Sequence, residues 1–433
     1  MRRIRTDEAL AHVGERVKLA GWLHNLRDMG KFGFLILRDG AGRFQTVLDS
    51  AAELEKLKGL QCESVLEIEG VVTEEPRAPG GAELHDCQVR VVSPVIETLP
   101  FEINKKELKP GLSVFLNNAP VGLRHLHKRA LFRISAEIMA AFRGYLRQQG
   151  FVEIQTPKIV RAATEGGANV FAIDYFGRPA YLAQSPQFYK QMMVGVYERV
   201  FEVGPVFRAE KHRTARHTNE YVSLDMEMGF IKDHTDVMDM LTAVLRHIFD
   251  RLAESCAPEL ELLNIRVPSV GETIPSLRLP DAQELIFERH GEDCRGEPDL
   301  APQHEAWLCQ HAEQELGSEF LFVTHYPTAK RPFYAMPDDQ EPSLTRSFDL
   351  LLRGCEVVTG GQRIHRYEQL LNNARQWGIN PKDIAGYLQV FKYGMPPHGG
   401  FGMGLERLLM QLAELGNLRE ATLFPRDLDR LAP

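Results

Sequence analysis

The sequence predicts an α+β protein in two parts: a small N-terminal β-barrel, then a larger unit built on an antiparallel sheet flanked by helices. Three observations carry that reading. Residues 1–100 hold short β-type runs closed by turn residues, with one short helix among them. Residues 101–122 are a mixed Pro, Gly, Lys and Asn stretch with no sustained period, as expected of a hinge or linker. From residue 123 to 433 an amphipathic helix is followed by strands and helices without βαβ regularity, which disfavours a doubly wound fold.

Composition sets the limits. The 433 residues are 44% hydrophobic and 25% charged, enough apolar content for large cores and too much for a disordered chain. No apolar run approaches the roughly 20 residues that span a bilayer, and the basic first eight residues lack the apolar stretch of a signal peptide. The six cysteines stand apart with no CxxC pair, so neither a zinc site nor a disulfide framework is expected, and a reducing cytoplasm is the simplest home. A net charge of -8 means that any nucleic acid would be met by local basic patches.

In chain order, residues 17–24, 32–38 and 44–48 read as strands, the second closed by Asp39-Gly40. Residues 51–58 read as a short helix, and 65–73 and 88–95 as two more strands. Five strands with a helix after the third fit an OB-type barrel, or another small barrel. Residues 128–149 place Leu131, Ile134, Ile138, Phe142 and Leu146 on one helical face, with Gly150 where a C-terminal glycine belongs. A strand then starts at Phe151 and stops before Pro157.

Three segments carry chemistry. Residues 199–230 read as a hairpin whose loop holds Lys211, His212, Arg213, Arg216 and His217. On the return strand Val222, Leu224, Met226, Met228 and Phe230 face one way, and Tyr221, Ser223, Asp225 and Glu227 the other. The loop's cations suit a polyphosphate or, equally, a solvated surface; Arg208 and Glu210, at the strand end, are harder to read as surface. Residues 399–410 alternate glycines and then turn helical, with Arg407 in the first turn; the spacing fits neither a P-loop nor a dinucleotide fingerprint. In residues 348–365, Glu356 and Thr359 offer hard oxygens to Mg²⁺, and Gly360-Gly361 lets Arg363 approach a small ligand. Taken singly, each segment also has an ordinary structural reading.

Together, in this order, the segments resemble the three motifs of class II aminoacyl-tRNA synthetases. The first is Gly150-Phe151-Val152-Glu153 to Thr156-Pro157. The second runs from Phe207-Arg208-Ala209-Glu210 through Glu227, and the third is Gly400-Phe401-Gly402-Met403-Gly404-Leu405-Glu406-Arg407. Residues 164–167 (TEGG), 184–190 (QSPQFYK), 223–228 (SLDMEM) and 359–365 (TGGQRIH) resemble the aspartyl-tRNA synthetases of archaeal and eukaryotic type, over nearly the whole chain. The resemblance implies an OB-fold anticodon-binding domain at 1–100, a linker at 101–122 and a class II catalytic domain at 123–433. It also implies a homodimer, with ATP, L-aspartate and tRNA(Asp) as substrates and Mg²⁺ as cofactor.

Residue by residue, the resemblance gives Arg208, Glu356 and Arg407 catalytic roles. Arg208, Ala209, Glu210, Arg216, His217, Thr218, Glu356, Gly404, Leu405, Glu406 and Arg407 would form the ATP site, and Glu356 with Thr359 would hold the metal. Family members usually carry Ser at the Thr359 position; a hydroxyl is kept. Glu165, Gln187, Lys190, Arg208, Thr359 and Arg363 would bind aspartate. In the barrel, Arg27, Phe34 and Gln45 would read the anticodon. Strict members of this family tend to carry Trp and Lys where this chain has His24 and Pro79, so the resemblance implies a non-discriminating enzyme that also charges tRNA(Asn). An archaeal-type asparaginyl enzyme shares the motifs; Lys190, the Ser223-Leu224-Asp225 run and Gly404-Leu405-Glu406 favour aspartate. An inactive RNA-binding paralogue is disfavoured by Arg208, Glu356 and Arg407, and an amide-forming ligase on the same fold by the barrel. Residues 258–316 carry no motif with a chemical role.

Overall fold

The structure, a computed structural model, describes residues 2–161, 169–211 and 214–432. The chain divides into two compact units, residues 1–125 and 126–433.

In the first unit β1 (Arg16–Asp28), β2 (Gly33–Arg38), β3 (Arg43–Leu48), β4 (Val65–Glu74) and β5 (Ala82–Ser93) close into a barrel in the order β1-β2-β3-β5-β4. The helix Ala51–Lys56 follows β3, as an OB fold requires. Alternation does the sorting: Leu35 and Leu37 point into the core with Leu19, Phe44, Leu66, Ile68 and Leu84, all fully buried, while Phe34 and Ile36 face outward. β5 begins six residues before the strand expected at 88–95, because Glu83 and His85 break its apolar pattern; the Glu75 N–H to Gly81 C=O bond of 3.0 Å closes the preceding turn. Residues 101–122 contain the helices Leu112–Asn117 and Ala119–Gly122 and bury Ile103, Phe115 and Leu116.

In the second unit the strands are β6 (Val152–Glu153), β7 (Ile159–Val160), β8 (Ala172–Tyr175), β9 (Arg178–Leu182), β10 (Arg199–Phe207), β11 (Glu220–Gly229), β12 (Ser276–Arg278), β13 (Phe320–Thr324), β14 (Ser347–Leu352), β15 (Cys355–Arg363) and β16 (His398–Gly404). β7-β9-β8 form a small sheet; the others form an eight-stranded sheet in the order β12-β13-β14-β15-β16-β11-β10-β6. Only the edge pairs β12–β13 and β6–β10 are parallel. The helices Leu126–Gln148 and His234–Ser255 cover one face: Ile134, Ile138, Phe142, Leu241 and Ile248 pack with Phe201, Met226 and Phe401. Phe142 meets Phe201 and Phe401 edge-on at 5.9 and 6.4 Å. Each such fully buried side chain contributes roughly 1.5–3 kcal/mol. The first helix ends as its sequence dictates: Gly150 takes φ +80°, and the Phe151 N–H reaches the Leu146 carbonyl at 2.9 Å.

One expectation is corrected. Phe230 does not continue the apolar face of β11. The strand ends at Gly229, and Phe230 turns out with φ +59° and 72% exposure.

Candidate active site

On the opposite face of the large sheet, where the helices Leu279–His290 and Pro302–Leu316 pack against Leu321, Val323 and Leu351, lies a cavity of about 410 Å³, walled mainly by β11, β15, β16 and the helix Gln187–Tyr197. Gln187, Lys190, Arg208, Glu210, Arg216, His217, Thr218, Glu356, Thr359, Arg363, Gly404, Glu406 and Arg407 all line it, so residues scattered over more than 200 positions meet in one place. The side chain of Leu405 does not; it is 3% exposed and belongs to the core. Ala209 is tied through its N–H to the Asn169 carbonyl at 3.0 Å. Glu165 lies outside the described residues.

At one end of the cavity, Lys190 is 1% exposed rather than solvated. Its ammonium donates to Asp225 Oδ1 at 2.9 Å and the Phe401 carbonyl at 2.9 Å, and stands 3.4 Å from Glu227 Oε2. Arg363 Nε donates to Glu227 Oε1 at 2.9 Å and its Nη2 to the Gly400 carbonyl at 3.0 Å. Two cations and two carboxylates thus interlock. Ser223 donates its hydroxyl to Asp225 as well. Burial alone would raise the pKa of Glu227, but Arg363 and then Lys190 outweigh it and hold the carboxyl below its ordinary range. Gly400 is indispensable here: a Cβ would sit 2.1 Å from the Met226 carbonyl and 2.3 Å from Glu227 Oε2.

The other end is cationic. Arg407 donates to the Glu356 carbonyl at 3.1 Å and lies 3.6 Å from its carboxylate. Burial opposes ionisation of Glu356, but Arg407 and the hydroxyl of Thr359, 2.6 Å away, prevail and lower its pKa. An ionised carboxylate beside a hydroxyl is a hard-oxygen pair that fits Mg²⁺. Among the described residues no cluster of three or more acidic, His or Cys side chains forms a metal cage. Arg208 stacks over Tyr221 at 5.6 Å. Asn219, not singled out from the sequence, pins the backbone around it by donating to the Arg208 and Glu210 carbonyls at 2.8 and 3.1 Å. Glu406 accepts from the Val222 N–H at 3.0 Å, and burial pushes its carboxyl up to about 7.

Two more residues escaped sequence reasoning. Arg331 lines the cavity and donates to the buried Asp349 at 2.6 Å. Glu305, from the segment without motifs, accepts from Arg216 at 3.1 Å; burial and the neighbouring Glu356 push it up to about 7. Neither sits in a pattern that spacing would reveal.

On the barrel, strand register aligns Arg27 with Phe34 and Phe34 with Val47, and places Gln45 opposite Ile36. Arg27, Phe34 and Gln45 therefore share an outer face, where Phe32 meets Phe34 edge-on at 5.6 Å and Gln45 donates to Glu83 at 2.7 Å. His24 is 6% exposed, at a β-bulge between Leu23 and Asn25; Pro79 is half-buried in the turn between β4 and β5. Among the described residues, no helix is long and apolar enough to cross a membrane.

Comparison with known proteins agrees with this geometry. Residues 113–428 match the family model for class II tRNA synthetases (D, K and N), and residues 17–97 that for an OB-fold nucleic acid binding domain. The chain is 48% identical to the aspartate–tRNA(Asp/Asn) ligase of Deinococcus radiodurans, over 100% of this chain and 99% of that one. It is 47% identical to the enzyme of the same name from Thermus thermophilus, over the full length of both. Among solved structures, the asparaginyl-tRNA synthetase of Pyrococcus horikoshii complexed with asparaginyl-adenylate superposes with a TM-score of 0.93 at 31% identity, covering all of both chains. With an OB barrel in its N-terminal unit and, in residues 126–433, a cavity of opposed cations and carboxylates on a mainly antiparallel sheet, the chain belongs to the class II tRNA synthetases of the D, K and N group.

Proposed function

We propose that the protein is an aspartate–tRNA ligase that activates L-aspartate with ATP and charges both tRNA(Asp) and tRNA(Asn). The observation that supports it best is the buried set of Lys190 and Arg363 braced by Asp225 and Glu227. It shares a cavity with Arg208, Arg216 and Arg407. Thr359 and Arg363 lie on one strand, about 13 Å apart along it, so one cavity serves an amino-acid side chain at one end and phosphates at the other.

The chemistry follows from charge. The α-carboxylate of aspartate attacks the ATP α-phosphorus and pyrophosphate leaves. Two anions approach each other, so positioning and cations must do most of the work. Arg208 would hold the α-phosphate, Arg216 and His217 the outer phosphates, and Arg407 the far end of ATP over Gly404, with Glu210 and Thr218 as polar wall. Glu356 and Thr359 would hold Mg²⁺, which supplies charge neutralisation on the phosphates when bound. Lys190 and Arg363 would pair with the substrate's side-chain carboxylate, and Gln187 and Glu165 with its polar backbone groups. Asparagine would leave cations under-paired in a closed site, a costly mismatch.

The 1–100 barrel would bind the anticodon through Arg27, Phe34 and Gln45, the catalytic domain would span 123–433, and the cytoplasm would be the working compartment. The relaxed choice between tRNAs is attributed to His24 and Pro79. A homodimer built on the helix Leu126–Gln148 would appear in sedimentation at micromolar protein; a monomer of 49.1 kDa alone would refute that assembly. The deciding assay for the activity is amino-acid-dependent ATP–pyrophosphate exchange. Aspartate should support it and asparagine should not; exchange driven by asparagine would make this an asparaginyl enzyme.

A further inference from the structure

The basic loop's Arg216 does not hang free in the cavity. Its Nη1 donates to Glu305 Oε2 at 3.1 Å and its Nη2 to the Gly354 carbonyl at 3.0 Å. The Glu305 side chain is 14% exposed and sits in the first turn of the helix Pro302–Leu316. That helix is itself held in place. His304, 2% exposed, accepts from the Ala301 N–H through Nδ1 at 3.1 Å, and its Nε2 lies 2.8 Å from Glu292. A Cβ on Gly354 would lie 3.3 Å from the Ala306 backbone, so helix and β14–β15 turn are in close contact. The carboxylate and the carbonyl that grip Arg216 therefore come from two packed, rigid elements. They occupy one edge of a planar guanidinium with five N–H donors. The loop backbone is fastened independently, since the Leu418 N–H donates to the Ala215 carbonyl at 2.8 Å.

We infer that Glu305 is a positioning residue for ATP: with the Gly354 carbonyl it fixes the orientation of Arg216, so that the remaining N–H groups are already aimed at the outer phosphates before ATP binds. This rests on the reading of the cavity as an ATP site. The gain is entropic. A long side chain at the end of a loop loses rotamer freedom when immobilised, and the hydrogen bonds to Glu305 and the Gly354 carbonyl take that loss during folding instead of binding.

The test is steady-state pyrophosphate exchange with wild type, Glu305→Gln, Glu305→Ala, Arg216→Ala and the Glu305→Ala/Arg216→Ala double variant. Wild-type exchange with aspartate establishes the underlying reading; its absence would sink that reading first. Given it, both Glu305 variants should raise the KM for ATP, Glu305→Ala by about tenfold, with the aspartate KM within about twofold. The double variant should match Arg216→Ala, because nothing remains for Glu305 to orient. Equal rises in both KM values, unchanged ATP KM in both single variants, or additive losses in the double variant would each overturn the proposal. Glu305→Gln keeps shape and volume, so the comparison survives if the alanine variant folds poorly.

Discussion

Replacing Lys190 by Met removes the one ammonium shared by Asp225 and Glu227. The structure sets the scale. The Lys190–Asp225 pair is 2.9 Å apart with both side chains at most 3% exposed, which at an effective dielectric of 20 is an attraction of ~6 kcal/mol before desolvation. Breaking a buried pair by removing one partner costs about 3–5 kcal/mol, because the other charge stays buried. Lys190→Met should therefore lower the catalytic unit's stability by that order, and it should abolish aspartate-dependent exchange, since the floor becomes net negative where a carboxylate must dock. The informative variant is Lys190→Met/Asp225→Asn. Removing both charges should return roughly 2 kcal/mol or more of stability but no activity. Urea unfolding beside pyrophosphate exchange measures both. If exchange recovers together with stability, Lys190 is a structural lysine and the assignment of the aspartate pocket is wrong.

Three further outcomes are expected. Arg208→Ala and Arg407→Ala should each cost about 100-fold or more in adenylate formation with unchanged circular dichroism; near-normal exchange in both would mean that ATP lies elsewhere. His398 is fully buried, and burial depresses its imidazole pKa to about 4. The folded state thus binds fewer protons than the unfolded chain, and stability present above about pH 6.5 is lost as pH falls towards 4, on the order of 3 kcal/mol; in His398→Gln the gap between urea midpoints at pH 7.5 and pH 5 should shrink, and an unchanged gap would assign acid sensitivity to other groups. Unmodified tRNA(Asp) and tRNA(Asn) should be aspartylated with efficiencies within roughly tenfold, about 1.4 kcal/mol; a thousandfold preference for tRNA(Asp) would contradict the relaxed reading of His24 and Pro79.

Much of the fold was legible because it rests on periodicity. The alternation in residues 222–228 separates Leu224, Met226 and Met228, which pack in the core, from Ser223, Asp225 and Glu227, which brace the cavity end. The helical spacing from Leu131 to Leu146 marks the face that meets Phe201 and Phe401. Local pattern failed where tertiary contact decides. β5 starts early because pairing with β4 compensates for its polar residues. Phe230 leaves the strand through a left-handed turn that no apolar pattern announces. In the site, motif residues were readable as a set, whereas Lys190 alone reads as a surface lysine. Its burial is set by Asp225 and by the Phe401 carbonyl, 211 positions away. Glu305 and Arg331 act through contacts with residues distant in sequence, such as Arg216 and Asp349, and such contacts leave no trace in a linear pattern.

The strand order bears on how the molecule is made. β16 is the last strand in the chain, yet it lies between β15 and β11 in the middle of the large sheet. Until residues 398–404 insert, the sheet is two separate ribbons with unpaired inner edges, exposed to mispairing or aggregation. The barrel has no such dependence, since all of its strands precede residue 94. During synthesis the first unit is free to fold early, while the second waits for almost its whole sequence. Its closure is dominated by contacts distant in sequence and is therefore slow. The carbonyls that hold Lys190 and Arg363 belong to Phe401 and Gly400 on that same late strand, so the proposed amino-acid pocket is assembled in the closing step, and under that proposal regained activity on refolding reports that step.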